Sequence, residues 1–349
     1  MVKSASTRVS NDELLSHIRT FRLPPDGFDP RKASKRQLTL YGLPHPPDAR
    51  THPGAADTWK RMAAHARGAE WIVPEFKVQR RPRPRMTTGT AQALVPSELL
   101  PLLRSEGLIV AKLTDPAIID MLNASPQLSG NWSGAYAPRL KAEPLNWVSA
   151  DFGVPGVQPP ASSSHNGKFD DGFYQAATWV GLDGWTGSPD VVQAGVTGTM
   201  TWKNSWGVGT TYAWVEFFPT AEIVVTNFPV APGDRLAITV CAPFSTTHGV
   251  AWLWNQTTNT HTSVGFDAPS GTALAGGTAE WIVEHSGTST PSTFADYGSA
   301  TLRNCTAGGR RHEVNLLSSS PINMWDGGLS RVISRGTIET RTQLRCTHE

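Results

Sequence analysis

The chain has 349 residues, 39 % hydrophobic and 17 % charged, enough to bury one large core or two modest ones. No run approaches the ~20 apolar residues that a membrane span needs, which excludes an integral membrane protein built on helices. Three cysteines (Cys241, Cys305, Cys346) are too few for a disulfide scaffold and lack metal-ligand spacing; whether Cys305 and Cys346 pair stays open. The net charge of +2 conceals a division, because residues 1–125 carry 19 Lys and Arg against 12 Asp and Glu, while residues 126–349 carry 12 against 17. Tryptophan divides in the same way, with 11 of 13 beyond residue 130, so two regions with different roles are expected.

The first region reads as helices interrupted by prolines. Ser10-Asn11-Asp12-Glu13 predicts a capped short helix reaching Ile18, with acids in its first turn. Pro24-Pro25 and Pro44-His45-Pro46-Pro47 stop regular structure. Asp57 is a candidate cap for a weak helix from Trp59 to Ala66. Lys77 to Arg85 is basic and proline-studded, which predicts an extended, exposed linker over 77–95. Ser97–Glu106 and Asp115–Leu122 are further helix candidates, the latter with Pro116 suited to the first helical position. No zinc-finger or aromatic RNA-binding motif accompanies the basic run, so no nucleic-acid partner is expected. The sharper expectation is that residues 1–128 cover an acidic catalytic domain electrostatically, in the manner of a pro-region.

From about Gly130 the period becomes two. Alternation is plain in Tyr212–Phe218, Leu236–Val240 and Ala279–Glu284, and turn signals separate such runs at Asp183-Gly184, Pro232-Gly233-Asp234, Gly276-Gly277 and Gly308-Gly309. Many short strands with no long helix between them predict an all-β, two-sheet antiparallel sandwich over residues 129–349. Metalloprotease, nucleophile-elbow and phosphate-loop motifs are absent, and the ten histidines show no ligand spacing, so neither metal nor cofactor is expected. Attention falls on polar groups inside apolar strands: Gln193 after Val191-Val192, Glu216 between Val215 and Phe217, Asp183 ending Trp179–Leu182, and Glu280 and Glu284 on one face of Ala279–Glu284. Semi-buried carboxyls serve as acids or bases. Four residues of strand span ~13 Å, so Glu280 and Glu284 cannot both touch one scissile bond.

Six segments in order carry a resemblance: Asn131-Trp132-Ser133-Gly134-Ala135, Trp179–Gly184, Val192-Gln193-Ala194-Gly195-Val196, Ala213–Pro219, Ala279–Glu284 and Phe294–Gly298. Together they resemble the glutamic peptidases (the eqolisin family). That resemblance implies a concanavalin-like jelly-roll sandwich and an acid-acting endopeptidase with polypeptide substrates. It puts the catalytic pair on Gln193 and Glu284, with Trp132, Trp179, Asp183, Trp214 and Glu216 around the cleft, and leaves Glu280 supporting or structural. It further implies hydrolysis by an activated water, without metal or covalent intermediate, and a monomer is expected. Three positions depart from the family pattern: Thr197 stands for an Asp, Phe218 for a common Tyr, and His285 for an acid that alternation turns to the opposite face. The family is typically secreted, yet Met1–Ser10 is followed by no apolar core of a secretory signal, so localisation stays open. Two competing readings are a sandwich-fold glycoside hydrolase using Glu216 and Glu284 as paired carboxylates ~5–10 Å apart, and a non-catalytic carbohydrate-binding homologue.

Overall fold

The computed structural model describes residues 10–80, 115–140, 143–185, 190–242, 245–286, 292–326 and 331–349. The helix candidate Ser97–Glu106 and most of the expected linker lie outside them. The strands of the two layers are, in chain order, β1 (Ile18–Thr20), β2 (Phe76–Gln79), β3 (Trp132–Pro138), β4 (Trp147–Gly153) and β5 (Gly172–Leu182). Next come β6 (Val191–Lys203), β7 (Trp206–Phe218), β8 (Glu222–Val225), β9 (Arg235–Cys241), β10 (His248–Asn255) and β11 (Thr260–Asp267). The chain closes with β12 (Thr278–Glu284), β13 (Ser299–Gly308), β14 (Ser320–Trp325), β15 (Val332–Thr340) and β16 (Gln343–His348).

The first sheet runs β2-β8-β7-β6-β5-β12-β3-β14. The second runs β16-β13-β4-β9-β10-β11-β1. β15 pairs with both β14 and β16, so the layers join along one side. These ladders are antiparallel, as the short turns predict; parallel pairs occur only where short segments such as Gln127–Ser129 and Ser292–Phe294 dock on β14 and β5. Between the layers lies one apolar core, including Val180, Val192, Val215 and Trp281 from the first sheet and Phe152, Ile238, Leu253 and Leu302 from the second. Each fully buried side chain of this size is worth roughly 1.5–3 kcal/mol, and alternation supplies them from every second residue. The three cysteines are buried and unbridged.

The basic N-terminal region forms a third layer. Helix α1 (Asn11–Ser16) is capped by Ser10, whose hydroxyl accepts from Glu13 N–H at 3.0 Å, and it stops before Ile18, because Ile18–Thr20 pairs with β11 instead. Helix α2 (Lys35–Leu40) begins at a Ser34/Gln37 capping box. Helix α3 (Pro53–Ala66) starts earlier than its sequence suggests, with Asp57 inside it. Its first turn is capped from afar: the Glu313 carboxylate accepts from Gly54 N–H at 3.1 Å and Ala55 N–H at 2.9 Å. Trp59, Met62, Ala63 and Ala66 then pack on Ala237, Trp252 and Trp254, which lie on the face of the second sheet turned away from the core. Helix α4 (Asp115–Asn123) begins as predicted and is held to β15 by Asn123, which donates to Ile338 C=O and accepts its N–H. The expected linker does not start at residue 77: Phe76–Gln79 is an edge strand on β8, so the exposed stretch begins later.

His261 sits at the seam of this third layer, fully buried beneath the rings of Trp71 and Trp254. Its Nδ1 accepts from Trp252 Nε1 at 3.1 Å. Burial, aided by the His65 charge, pushes its pKa down to about 3 from 6.5. The unfolded chain therefore binds this proton below about pH 6.5 and the folded chain only below about 3. Stability contributed by the neutral ring is complete above that window and is lost as pH falls through it, by up to roughly 1.4 kcal/mol per unit. Urea denaturation of His261→Gln should accordingly show a shallower loss of midpoint than wild type between pH 6.5 and 4; parallel losses would exclude His261 as the titrating group.

Candidate active site

The other face of the first sheet carries the polar groups. Core-facing Val192, Ala194 and Val196 alternate along β6 with Gln193, Gly195 and Thr197, and β7 and β12 behave alike. The register arranges this outer face in three cross-strand rows. One row reads Glu216, Gln193, Gly181, Glu280, Tyr136; the next reads Trp214, Gly195, Trp179, Ile282, Gly134; the third reads Tyr212, Thr197, Ala177, Glu284, Trp132. Although outward in topology, the polar members are buried, with Gln193 only 2 % and Glu284 6 % exposed.

Glu284 is held by donors. Its Oε2 accepts from Trp179 Nε1 at 2.9 Å and its Oε1 from Asn131 Nδ2 at 3.4 Å. Both partner nitrogens can only donate, so both oxygens serve there as acceptors. Asn131 is fixed in turn by Ser129, whose Oγ donates to its Oδ1 at 3.2 Å and accepts its backbone N–H. Gln193 is held from one side: its Nε2 donates to Glu216 Oε2 at 2.7 Å across the β6–β7 ladder. One further Nε2 proton remains for another acceptor.

The indoles form the floor. Trp132 meets Trp179 edge-on at 4.9 Å and stacks at 6.0 Å on Trp185, which stacks on Tyr136 at 5.1 Å. Trp185 and Asn131 are site residues that the sequence reading did not single out, although Asn131 stood in a quoted motif. Buried Trp132 Nε1, Trp214 Nε1, Gln193 Oε1 and Thr197 Oγ1 have no hydrogen-bond partner among the described residues. Orphaned polar groups of this kind are uncommon in folded proteins, and their concentration on one face marks a surface built for a polar guest.

Asp183 behaves differently from the expected cleft residue. Its carboxylate accepts from the backbone N–H groups of Ala275, Gly276 and Gly277 at 2.6, 2.9 and 2.6 Å. Burial raises its pKa, and those N–H groups oppose the shift. Asp183 thus clamps the loop that leads into β12. His285 contacts Phe294 of the core, the side that alternation assigns to it. The register also bears on the paired-carboxylate reading: Glu216 and Glu284 stand three strands and four residues apart, about 20 Å between backbones in a flat sheet, and Glu216 is engaged with Gln193. A cavity of about 590 Å³ opens elsewhere, between the N-terminal layer and the second sheet, lined by Pro44, Trp59, Met62, Trp147 and Trp252.

The protein is thus an antiparallel β-sandwich whose outer face carries a buried amide and a donor-held carboxylate among tryptophans. The model of the Peptidase A4 family matches residues 130–348, and the chain belongs to that family. It is 32 % identical over 195 residues to aspergillopepsin-2 of Aspergillus niger, covering 52 % of this chain and 65 % of that protein. It is 30 % identical over 157 residues to scytalidopepsin B of Scytalidium lignicola, covering 45 % of this chain and 52 % of that protein. The chain thus spans somewhat over half the length of these relatives. In fold it is similar to a scytalido-glutamic peptidase solved with a transition state analog inhibitor, with a TM-score of 0.50 and 24 % identity over 63 % of this chain and 98 % of that one.

The middle row depends on glycine. A Cβ on Gly195 would lie 2.5 Å from Trp179 Cβ and from Thr178 O, so no side chain fits beside the residue whose indole donates to Glu284. Gly195→Ala should cost about 1–3 kcal/mol through overpacking, read by urea denaturation; a change within ±0.5 kcal/mol would mean that the sheet relaxes freely there.

Proposed function

We propose that the protein is an acid-acting endopeptidase in which Gln193 and Glu284 hydrolyse the peptide bond with one water, residues 129–349 forming the catalytic unit. The observation carrying this reading is the different treatment of the two groups on one sheet face of a Peptidase A4 chain. Glu284 is presented as an acceptor by Trp179 and Asn131, and Gln193 is presented as a donor by Glu216. They stand two strands and four residues apart, about 16 Å between backbones in a flat sheet. Long side chains from both ends and the coiling of a real sheet shorten that span, and the proposed reaction requires a water and a peptide group to fill what remains.

The chemistry follows from these roles. The Glu284 carboxylate takes a proton from the water as its oxygen attacks the carbonyl carbon. The free N–H of Gln193 donates to the developing oxyanion and carries no charge needing a counter-ion. Glu284, now protonated, passes that proton to the amide nitrogen as the C–N bond breaks, which regenerates the carboxylate. Protons balance without metal or covalent intermediate. Trp132, Trp179 and Trp214 form the substrate-facing floor, Glu216 positions Gln193, and Asp183 acts through the loop it clamps.

The N-terminal layer is an accessory part on this reading. Helices α2 and α3 lie on the second sheet and Phe76–Gln79 extends an edge of the first, whereas the dyad lies on the outer face of the first. The layer's electrostatic attachment is visible in Arg61–Asp151 at 2.5 Å and Arg19–Asp267 at 2.6 Å, both on the second sheet and its flanking strands. Polypeptides are the expected substrates and a monomer the expected state.

Wild-type protein should degrade denatured casein at about pH 3–5 with pepstatin present. Gln193→Ala should lower kcat about 10²–10³-fold, the size of one lost oxyanion donor. Glu284→Gln should abolish turnover while circular dichroism stays that of wild type. Full activity in Glu284→Gln would remove the proposed base.

A further inference from the structure

The cavity between the N-terminal layer and the second sheet has no part in the proposed reaction, and strand register lays its floor. On the outer face of that sheet one cross-strand row reads Trp147 on β4, Cys241 on β9, Val250 on β10 and Gly265 on β11. The next row carries Ser149, Thr239 and Trp252. Helix α3 packs on Trp252 and Trp254, but no member of the first row joins its apolar cluster. The small residues Cys241 and Gly265 therefore floor a hollow of about 590 Å³, which Phe21, Pro44, Trp59 and Met62 of the N-terminal layer wall in. That volume lies within the range of small-molecule sites. The floor runs about 14 Å across four strands, which suits an extended chain better than a compact ring system.

The buried polar groups of the walls are already paired within the protein. The Ser149 and Thr239 hydroxyls bond to each other at 2.9 Å, and Ser149 also donates to Ile238 C=O at 3.1 Å. His52 Nε2 donates to Gly309 C=O at 3.1 Å, and Trp59 Nε1 to Pro44 C=O at 2.7 Å. Burial pushes the Cys241 thiol up to about 12 and keeps it neutral. A polar guest would lose its water here without regaining hydrogen bonds, so the body that enters is apolar. Charge at the rim selects its end group. Asp267 is held by Arg19 at 2.6 Å and by His248 at 2.6 Å, and Asp48 by Arg50 at 2.9 Å. Arg310, exposed beside Gly309, is the one arginine or acid of the lining without an ion pair among the described residues.

We propose that this cavity binds a free fatty acid, with the acyl chain over Cys241, Val250 and Gly265 and the carboxylate on the Arg310 guanidinium at the rim. A cationic amphiphile would fill the same hollow but meet an uncompensated like charge. The site is on the second sheet, apart from the dyad, and does not depend on the peptidase reading.

Calorimetric titration of the full chain at neutral pH, below micelle concentrations, tests this with decanoate, dodecanoate, dodecanol and dodecyltrimethylammonium. Dodecanoate should bind saturably at one site and about 15-fold more tightly than decanoate, about fourfold for each methylene buried. Arg310→Glu, an exposed change, should weaken dodecanoate about fivefold, the scale of one surface ion pair, and leave dodecanol unchanged. Val250→Trp, at a half-buried floor position, should weaken dodecanoate and dodecanol alike by at least about tenfold while circular dichroism stays that of wild type. Absence of saturable dodecanoate binding, or equal affinity for dodecyltrimethylammonium, would overturn the proposal. So would dodecanoate binding that is indifferent to Arg310→Glu, or to Val250→Trp in a folded protein.

Discussion

The hydrogen bond from Trp179 Nε1 to Glu284 is the interaction on which the site depends. A carboxylate withdrawn from water is costly unless donors replace the lost solvation. An indole is an economical donor for this purpose, since it brings its own apolar bulk and needs no counter-charge. That bulk has to be accommodated, and the middle row does so by alternating large with small: Trp214 beside Gly195, then Trp179, Ile282 and Gly134. Glycine in strands usually weakens them. Here Gly195 leaves room for the backbone and Cβ of Trp179, whose indole reaches the carboxylate.

The same logic extends along the other rows. Gln193 needs no charge partner, yet its amide must be oriented, and the direct cross-strand position of Glu216 supplies an acceptor at no cost in chain length. In the third row, Thr197 occupies the place of an acid common in the family, with only Ala177 between it and Glu284. A hydroxyl there leaves Glu284 without a like-charged neighbour in its own row. One row thus orients the Gln193 amide, one supplies the indole that donates to Glu284, and one leaves Glu284 apart from other acids.

Much of this was legible in the sequence because strand alternation is a local property. Period-two runs located β7, β9 and β12, and the parity of 280, 282 and 284 put both glutamates on one face before any partner strand was known. What escaped was set by partners distant in sequence. The start of α3 is unreadable locally, since its cap is the carboxylate of Glu313, 259 residues beyond Gly54. Phe76–Gln79 reads as the start of a linker until Glu222–Val225 is laid beside it. Asp183 looks like a cleft acid because the three N–H groups that occupy it lie about ninety residues further on. By contrast, the Ser34/Gln37 capping box of α2 was present in the sequence as Ser-x-x-Gln and could have been found.

The charge division between the two regions acquires a structural sense from where the N-terminal layer lies. Basic residues of that layer meet acids of the sandwich at Arg61–Asp151 and Arg19–Asp267, and Asn304 completes the Asp151 contact at 2.7 Å. The Arg19–Asp267 pair, largely exposed, contributes little stability, whereas Asp151 is buried and is satisfied by Arg61 and Asn304 together. The larger effect is burial: without α3 and the segments flanking it, Trp252 and Trp254 would face water, and β8 and β11 would end as bare edges. Bare edges and an apolar patch are the two features that drive sheet proteins to associate. The described parts of the layer therefore belong to the folding problem of both sheets: α3 covers the outer face of the second, and Phe76–Gln79 closes an edge of the first.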